Sequence, residues 1–256
     1  MPLPLIVRTV NRFLFSLCMA ATCGAACAED APLIDTATQP WSGAVSGGYI
    51  RTSGNSSTSA TNLKFELDYT DLPWRNELTG AAANGHTGGN TSAEQYAIGD
   101  KLKFNFDEVD YAFGDITFDS DRFSGIAENF AESAGYGRRL LMTEHQTLDA
   151  ELGAGFSEQQ RVGENGYEIQ PIVTIGGKYE YAFSNTSQFI QTLRTEIGSK
   201  NTFVNPVSQL KLNIIGALFA ALNYEVRYNT TVPAESRHTD IITSVNFGYG
   251  FGGKKP

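Results

Sequence analysis

The chain is poor in cysteine, histidine and basic residues, and each shortage excludes a class of function. All three cysteines, Cys18, Cys23 and Cys27, lie within the first 28 of 256 residues, a segment with the form of a secretory leader. The predicted mature chain therefore has no cysteine, which excludes zinc–thiolate sites, cysteine nucleophiles and a disulfide framework.

The leader is predicted from a charged start, an apolar run and a small-residue end. Arg8 and Arg12 precede the apolar run, and Ala26-Cys27-Ala28 has the small-x-small form that a signal peptidase reads. The apolar run is shorter than the roughly 20 residues that a membrane-spanning helix needs. We therefore predict that residues 1–28 are a signal peptide and that the mature chain starts at Glu29.

The mature chain is acidic and contains no second long apolar run. Removing Arg8 and Arg12 leaves 17 basic and 28 acidic residues, a net charge of −11. This balance argues against nucleic acid as a partner, because affinity for phosphates comes largely from lysine and arginine. If such a chain crosses a bilayer, it must do so as a closed β-barrel, since open sheet edges cannot be satisfied in lipid.

From Trp41 onward, apolar and polar residues alternate with a period of two. In the segment 61–69, Leu63 and Phe65 fall on one face and Lys64 on the other. Side chains of a strand point to opposite sides, so each such segment has one apolar and one polar face. The same alternation recurs in 147–157, 167–183, 218–228 and 240–251.

The connections between these segments alternate in length, as in outer-membrane barrels. The longer ones are predicted at 52–58, 84–92, 119–129 and 158–166, and the shorter ones at 70–73, 107–110, 141–146 and 184–187. Three more are predicted at 199–202, near 214–217 and at 230–237.

The sequence therefore predicts an all-β protein, a transmembrane antiparallel up-and-down β-barrel of about twelve strands (roughly 10–14). The barrel is predicted over 41–251, between a periplasmic lead at 29–40 and a C-terminal tail at 252–256. A secreted β-sandwich is the alternative, but strands of about 9–13 residues fit a tilted membrane strand better.

Two local features refine this prediction. The alternation slips near Asp115, which suggests a β-bulge. Aromatic residues at strand ends are typical of interfacial girdles. These aromatic residues are Trp41, Tyr69, Trp74, Tyr96, Tyr111, Phe183, Phe203 and Tyr228.

The order of several short motifs resembles the YdiY-like family of salt-induced outer-membrane proteins, a β-barrel family with a domain of unknown function. The motifs are Trp41-Ser-Gly43, Gly47-Gly48, the segment 53–58, Tyr69 with Trp74-Arg75-Asn76-Glu77, the segment 121–125, Gly135-Tyr-Gly137-Arg-Arg139 and the segment 148–155. The resemblance implies an outer-membrane barrel induced by salt, and it supplies no catalytic residues.

The sequence contains few candidates for catalytic or metal-binding residues. The three histidines, His86, His145 and His238, are not in the His-x-Ser pattern that resembles outer-membrane lipid hydrolases. The acidic segment Asp119-Ser-Asp121-Arg122 is predicted to be part of an outer loop and lacks the features of a calcium loop. We predict no enzyme activity, no catalytic residue, no cofactor and no metal, with a lipid-modifying enzyme as a remote alternative.

The polar face carries charges of both signs. A lysine or arginine facing lipid would cost about 2–4 kcal/mol, so this face is predicted to line the lumen. The lumen-facing candidates are Lys64, Glu66, Asp68, Asp149, Glu151, Lys178, Glu180, Arg194, Glu196, Glu225 and Arg227. The sequence thus favours a non-catalytic envelope protein, structural or stress-related, with a narrow passive channel for small solutes or cations as the alternative.

The expected partners are those of an outer-membrane barrel. The last strand ends in a pattern of alternating apolar residues, Val245, Phe247, Tyr249 and Phe251, that resembles an assembly signal. We expect contacts with membrane lipid, lipopolysaccharide, periplasmic chaperones and the barrel-assembly machinery, and a monomeric protein in the outer membrane.

Overall fold

The computed structural model describes residues 40–252 except 54–57, 88–89, 122–125, 164–165 and 233–236. Within that part of the chain no helix is long and apolar enough to cross a membrane. The predicted signal peptide, nearly all of the predicted periplasmic lead and residues 253–256 lie outside the described residues, so they stay predictions.

The described chain forms twelve β-strands. They are β1 Trp41–Ser53, β2 Thr58–Asp71, β3 Trp74–Thr87, β4 Asn90–Asn105, β5 Asp110–Asp121, β6 Ile126–Met142, β7 Gln146–Arg161, β8 Glu168–Ser184, β9 Ser187–Gly198, β10 Thr202–Ile215, β11 Leu218–Asn229 and β12 Thr239–Gly252.

The strands close into one antiparallel barrel. Each strand pairs with its neighbours in the sequence, and β1 pairs with β12 from Ser42↔Gly252 to Ser53↔Ile241. The predicted fold and the count of twelve are therefore confirmed. The strands are 12 to 17 residues long, longer than the sequence suggested, because their ladders continue into the predicted connections.

Consecutive connections lie at alternate ends of the barrel. The turn end has the connections 72–73, 106–109, 143–145, 185–186 and 216–217, and the loop end has the other six. The predicted loop 119–129 is mostly strand, since β5 continues to Asp121 and β6 starts at Ile126. The prediction that Asp119 and Asp121 belong to an outer loop is therefore wrong.

Apolar and polar side chains are distributed in the opposite way to a water-soluble protein. On the outer face Phe247 is 63% exposed and Ile169 62%. On the inner face Asn246 is 1% exposed, and Asn223 and Ser244 are each 2% exposed. An apolar exterior around a polar interior is what a transmembrane β-barrel requires.

The predicted bulge near Asp115 is wrong. The pairing of Asp115 with Lys101 on β4 and with Ser133 on β6 lies in an unbroken register. The alternation slips because Tyr111 and Phe113, on the same face as Asp115, are aromatic residues that point into the barrel, where they are 0% and 6% exposed.

Glycines opposite these two aromatic side chains make room for them. A Cβ atom on Gly137 would lie 2.3 Å from the Tyr111 ring, and one on Gly153 would lie 3.0 Å from Cζ of Phe113. Gly137 is also the direct register partner of Tyr111. The interior aromatic residues of β5 therefore require glycine on β6 and β7.

Candidate functional site

The inner face is identified by contacts between strands that are not neighbours. Nζ of Lys101 on β4 lies 2.6 Å from Oε2 of Glu151 on β7. Because β5 and β6 separate these strands in the sheet, the two side chains can meet only across the barrel interior. The residues on the same face of their strands as Lys101 and Glu151 therefore line the lumen.

Glu151 is the centre of an interior network. Besides binding Lys101, it accepts a hydrogen bond from the Tyr111 hydroxyl at 3.0 Å and lies 3.8 Å from Nζ of Lys103. Lys103 in turn lies 2.8 Å from Glu77 on β3. We call Glu77, Lys101, Lys103, Tyr111 and Glu151 the Glu151 cluster. It joins four strands with charge-assisted bonds, the stronger class of hydrogen bond in proteins.

Aromatic rings support the lysines of this cluster. Nζ of Lys101 lies 5.1 Å from the centre of the Phe113 ring, and Nζ of Lys103 lies 5.3 Å from that of Tyr111. Both distances are within the range of cation–π attraction. The inward aromatic residues therefore position the two ammonium groups as well as filling space.

A second contact crosses the lumen nearer the loop end. Nη1 of Arg194 on β9 lies 3.3 Å from Asp119 on β5, and Nη2 donates to the Thr117 hydroxyl at 2.5 Å. Nε of the same arginine donates to Glu196 at 2.8 Å. We call Thr117, Asp119, Arg194 and Glu196 the Arg194 chord, because it links strands on well-separated parts of the barrel wall.

A cavity of about 270 Å³ lies against both assemblies. Glu77, Lys101 and Glu151 of the cluster and Thr117, Arg194 and Glu196 of the chord are part of its wall. The remaining wall is mixed in character. It includes Phe113, Asp115, Ala131, Ser133, Asp149, Ile172, Thr174, Lys178, Thr192 and Asn205.

A second arginine–glutamate pair lies on the inner face nearer the loop end. Nε of Arg227 donates to Glu225 at 2.6 Å, and Asn205 donates to the same carboxylate at 3.1 Å. Arg227 also lines a smaller cavity of about 40 Å³ together with Asp119 and Asp240. Two arginine–glutamate pairs, one on β9 and one on β11, therefore flank this part of the interior.

The lumen face of β10, β11 and β12 has a run of uncharged polar side chains. Gln209 donates to Asn223 at 2.7 Å, and Asn223 donates to the Ser244 hydroxyl at 3.3 Å. Asn246 follows on the same face of β12. We call Gln209, Asn223, Ser244 and Asn246 the amide ladder. It joins adjacent strands only, and Asn223, Ser244 and Asn246 are nearly inaccessible to water.

The family model described as Protein of unknown function, DUF481, matches residues 45–251. The chain belongs to this family. It is 28% identical over 247 residues to the Uncharacterized protein YdiY of Escherichia coli (strain K12), and the alignment covers 96% of each chain. The predicted family resemblance is confirmed.

Solved structures of membrane barrels share this family member's fold. The NanC porin superposes with a TM-score of 0.55 at 7% identity, covering 80% of this chain and 98% of the porin. The translocator domain of the autotransporter NalP from Neisseria meningitidis superposes with a TM-score of 0.51 at 10% identity, covering 95% of each chain. At these identities the likeness concerns the fold alone.

The predicted lumen candidates fall on the inner face in alternating register. Glu151, Arg194, Glu196, Glu225 and Arg227 take part in the contacts above, and Lys178 lies 2.8 Å from Glu180. Lys64, Glu66 and Asp68 occupy one face of β2, and Asp149 lies beside Glu151 on β7.

Sequence reasoning missed several partners of these candidates. Glu77, Thr117 and Asp119 were not among the candidates, and Tyr111 and Phe203 were assigned to an interfacial girdle. Tyr111 instead binds Glu151, and the Phe203 ring lies 5.5 Å from the Arg194 guanidinium. Glycine on the adjoining strand, as at Gly137, is the sequence signal that could have identified Tyr111 as inward.

The histidines lie apart from one another. His145 belongs to the connection 143–145 at the turn end, and His238 precedes β12 at the loop end, where its Nδ1 lies 2.8 Å from the Asn229 carbonyl oxygen. The side chain of His86 lies outside the described residues. In the described ranges, no three histidine, cysteine, aspartate or glutamate side chains converge as metal ligands would.

The predicted assembly-signal residues occupy alternate positions on the outer face of β12. Val245, Phe247, Tyr249 and Phe251 are 44%, 63%, 56% and 42% exposed. They belong to the strand that closes the barrel against β1. Their part in assembly stays a prediction.

Proposed function

We propose that the protein is a non-catalytic barrel of the outer membrane with a narrow, constricted passage for small solutes. The observation that carries the proposal is the mixed-charge cavity of about 270 Å³ between the Glu151 cluster and the Arg194 chord. A twelve-stranded barrel lies between the filled eight-stranded and the open sixteen-stranded cases, so a narrow passage suits its size.

The charges themselves support a passage. Replacing buried ion pairs by well-packed apolar residues is often neutral or stabilising, so ion pairs are a poor means of filling an interior for stability alone. This interior nevertheless places four cationic and five acidic side chains around one cavity. Such a wall keeps water and polar solutes in the lumen, as in barrels that conduct.

Solvent also reaches part of the inner face. Glu66 on β2 and Thr79 on β3 are register partners on the lumen side, and both are exposed. The Lys101–Glu151 and Arg194–Asp119 contacts, which cross the lumen, then limit the size of the solutes that can pass. This combination supports a passage for small solutes and argues against a wide, permanently open pore.

Planar-bilayer recording of the purified, refolded full chain tests the passage. We expect small conductance steps in the wild type and larger ones in Arg194→Gln, because that change removes the charge that binds Asp119 across the lumen. Ser208→Ala, which alters an outward-facing hydroxyl bonded to Gln191, is the control and should conduct like the wild type. The absence of steps in all three proteins over a wide voltage range would rule out the passage.

The location is tested by fractionation of cells that express the full chain. We expect the protein in the outer-membrane fraction, with an intact mass that corresponds to a chain starting at Glu29. Recovery in the inner-membrane fraction, or retention of residues 1–28, would contradict this part of the proposal.

A second candidate function is a sealed structural barrel that supports the envelope under stress, including salt stress. The buried amide ladder favours it, because Asn223, Ser244 and Asn246 are at most 2% exposed and leave no space for water beside them. On this proposal neither the wild type nor Arg194→Gln conducts, and a deletion strain loses envelope integrity at high salt. Rescue of that strain by Arg194→Gln would then separate the structural role from conduction.

A further inference from the structure

We infer that the outer wall of β4–β7 is a docking surface for a membrane-spanning segment of another protein, one that places a lysine or arginine near the middle of the bilayer. The surface consists of the carboxylates of Asp100 and Glu132 and the depression beside them, and we call it the acidic face. The inference goes beyond the proposed passage, because it concerns the side of the barrel wall that faces lipid.

The side chains of Asp100 and Glu132 point away from the lumen. Asp100 lies between Ile98 and Leu102 on one face of β4, and these two residues are 50% and 43% exposed. Glu132 shares its face of β6 with Tyr136, which is 47% exposed. Since successive side chains of a strand point to opposite faces, both carboxylates lie on the apolar exterior of the barrel.

Asp100 lies near the middle of the membrane. It is four residues from Tyr96 toward the loop end and four from Phe104 toward the turn end, and outward aromatic residues mark the two interfaces of a membrane barrel. At a rise of ~3.3 Å per residue and a strand tilt of ~40°, four residues correspond to ~10 Å along the membrane normal. The apolar band of such a barrel is about 25 Å tall, so Asp100 is close to its centre.

Glu132 lies midway along the outer face of β6 in the same way. Four residues toward the turn end, the Tyr136 hydroxyl donates a hydrogen bond to Asp110. Four residues toward the loop end, Glu128 accepts one from the Tyr167 hydroxyl at 2.9 Å. Tyrosine is enriched at the two membrane–water interfaces, so the two bonded tyrosines place the interfaces on either side of Glu132.

These two carboxylates are poorly matched to lipid. Among the described residues, Glu132 has no hydrogen bond or ion pair, and Asp100 accepts a single hydrogen bond, from Asn76 at 2.8 Å. Midway along β11 and β12, by contrast, the exterior has Leu222 and Val245. Ionisable side chains within membrane-spanning segments are rare and are usually paired. The acidic face therefore lacks the cation that would pair its charge.

A depression of about 500 Å³ lies next to the carboxylates. Its lining includes a small outward residue on each of three adjacent strands, Gly114, Ala134 and Ala154, which are register partners. A Cβ atom on Gly114 would meet nothing within 4 Å. The larger side chains of Ile116 and Phe156 are also part of the lining. Small residues let membrane-spanning segments approach closely, so the depression admits side chains of a packed neighbour.

A second copy of this chain does not supply the missing positive charge. Copies in one membrane are related by an axis along the membrane normal, so each residue lies at the same depth in every copy. Two acidic faces in contact would bring carboxylates together, and like charges across an interface cost several kcal/mol. The outward cation of β6, Arg138, is six residues nearer the turn end than Glu132 and lies 3.6 Å from Asp110. The complementary partner is therefore a different protein with a cation at this depth.

Energy transfer from tryptophan to a dansyl group tests the acidic face in phosphatidylcholine vesicles. The refolded full chain supplies Trp41 and Trp74, both exposed at the turn end. The probe is a dansyl-labelled leucine–alanine peptide of about 20 residues with a lysine at its centre, and the matched probe has a leucine there. We expect saturable transfer to the lysine peptide, with half-saturation at a peptide-to-lipid ratio at least fivefold lower than for the leucine peptide.

Asp100→Asn and Glu132→Gln remove the two charges and keep the size of the side chains. The double variant should bind the lysine peptide no better than the leucine peptide. Glu158→Gln is the matched control, since it removes the same charge from the outer face of β7 nearer the loop end, and its half-saturation should stay within twofold of the wild type. Each variant should fold, because it removes no ion pair, and heat-modifiable migration in gels checks this.

Three results would overturn the docking surface. They are equal half-saturation of the two peptides on the wild type, which would mean that lipid covers the acidic face, no change in the double variant, and an equal loss in Glu158→Gln. Sedimentation equilibrium in a non-ionic detergent tests the remaining occupant. We expect a monomer, and a wild-type dimer that Glu132→Gln dissociates would assign the acidic face to a second copy and overturn the inference.

Planar-bilayer recording separates this inference from the proposed passage. Because Glu132 lies outside the lumen, Glu132→Gln should leave the conductance steps of the wild type unchanged. A protein that binds the lysine peptide but never conducts keeps the docking surface and overturns the passage. Conductance steps in a protein that does not distinguish the two peptides keep the passage and overturn the docking surface.

Discussion

The Glu151 cluster and the amide ladder line the same lumen but stabilise the barrel in different ways. The amide ladder joins β10, β11 and β12, which are already paired through their backbones. The Glu151 cluster joins β4 to β7 across the interior. The amide ladder thus reinforces neighbouring strands, whereas the Glu151 cluster also connects distant parts of the wall and borders a cavity.

The largest expected effect comes from removing the centre of the Glu151 cluster. Glu151→Leu leaves Lys101, Lys103 and the Tyr111 hydroxyl without their acceptor, so we expect a loss of about 3–5 kcal/mol in the free energy of unfolding. Asn223→Leu makes the corresponding change in the amide ladder and is the variant with which Glu151→Leu is compared. Urea unfolding followed by the fluorescence of Trp41 and Trp74 measures both, and equal losses would remove the distinction between the two regions.

The packing of the Tyr111 ring against Gly137 should contribute somewhat less to the free energy of unfolding. Gly137→Ala places a Cβ atom 2.3 Å from the Tyr111 ring, and overpacking of this kind costs about 1–3 kcal/mol. Gly114→Ala on the outer face of β5 is the control, because a Cβ atom there meets nothing within 4 Å. The same unfolding assay applies. A Gly137→Ala protein as stable as Gly114→Ala would mean that the Tyr111 ring is not held against β6.

A single bond of the amide ladder should have a smaller effect. Ser244→Ala removes the acceptor of the 3.3 Å bond from Asn223, and the net value of such a bond is about 1 kcal/mol. The conductance steps proposed for the wild type should not change, since Ser244 is not part of the described cavity walls. A change in conductance larger than the change in stability would show that the amide ladder borders the passage.

The smallest effect is expected at the turn 106–109, which connects β4 and β5, two of the strands that the Glu151 cluster joins. Backbone N–H groups of Asp110 and Val109 donate to Oδ1 of Asp107, each at 2.7 Å, and these bonds lower the pKa of its carboxyl below the ordinary value. Because the pKa is lower in the folded protein, the charged Asp107 carboxylate adds to the free energy of unfolding. This stabilisation is complete above the unfolded pKa, about 3.9, and is lost as the pH falls through the folded pKa.

Asp107→Asn should therefore reduce the loss of stability on acidification while keeping an acceptor for the turn. The measurement is the urea midpoint as a function of pH for the wild type and the variant. Identical pH profiles would contradict a charged cap at this turn.

Much of the fold could be predicted from the sequence because lipid on one side and a polar lumen on the other impose strict alternation. The same rule led to the errors at Tyr111 and Phe113, where alternation alone cannot tell an inward aromatic residue from a lipid-facing one. Which charges meet could not be predicted either. The contacts Lys101–Glu151 and Arg194–Asp119 depend on the curvature and stagger of the closed barrel, which the local pattern does not encode.

The separation of the bonded residues along the chain has a consequence for the order of assembly. The amide ladder bonds join residues 14 and 21 positions apart, so each can form as soon as its hairpin is in place. The Lys101–Glu151 and Arg194–Asp119 contacts join residues 50 and 75 positions apart. These two contacts can form only after the strands between them, two in the first case and three in the second, have paired and curved, so they fasten a stretch of barrel wall that already exists.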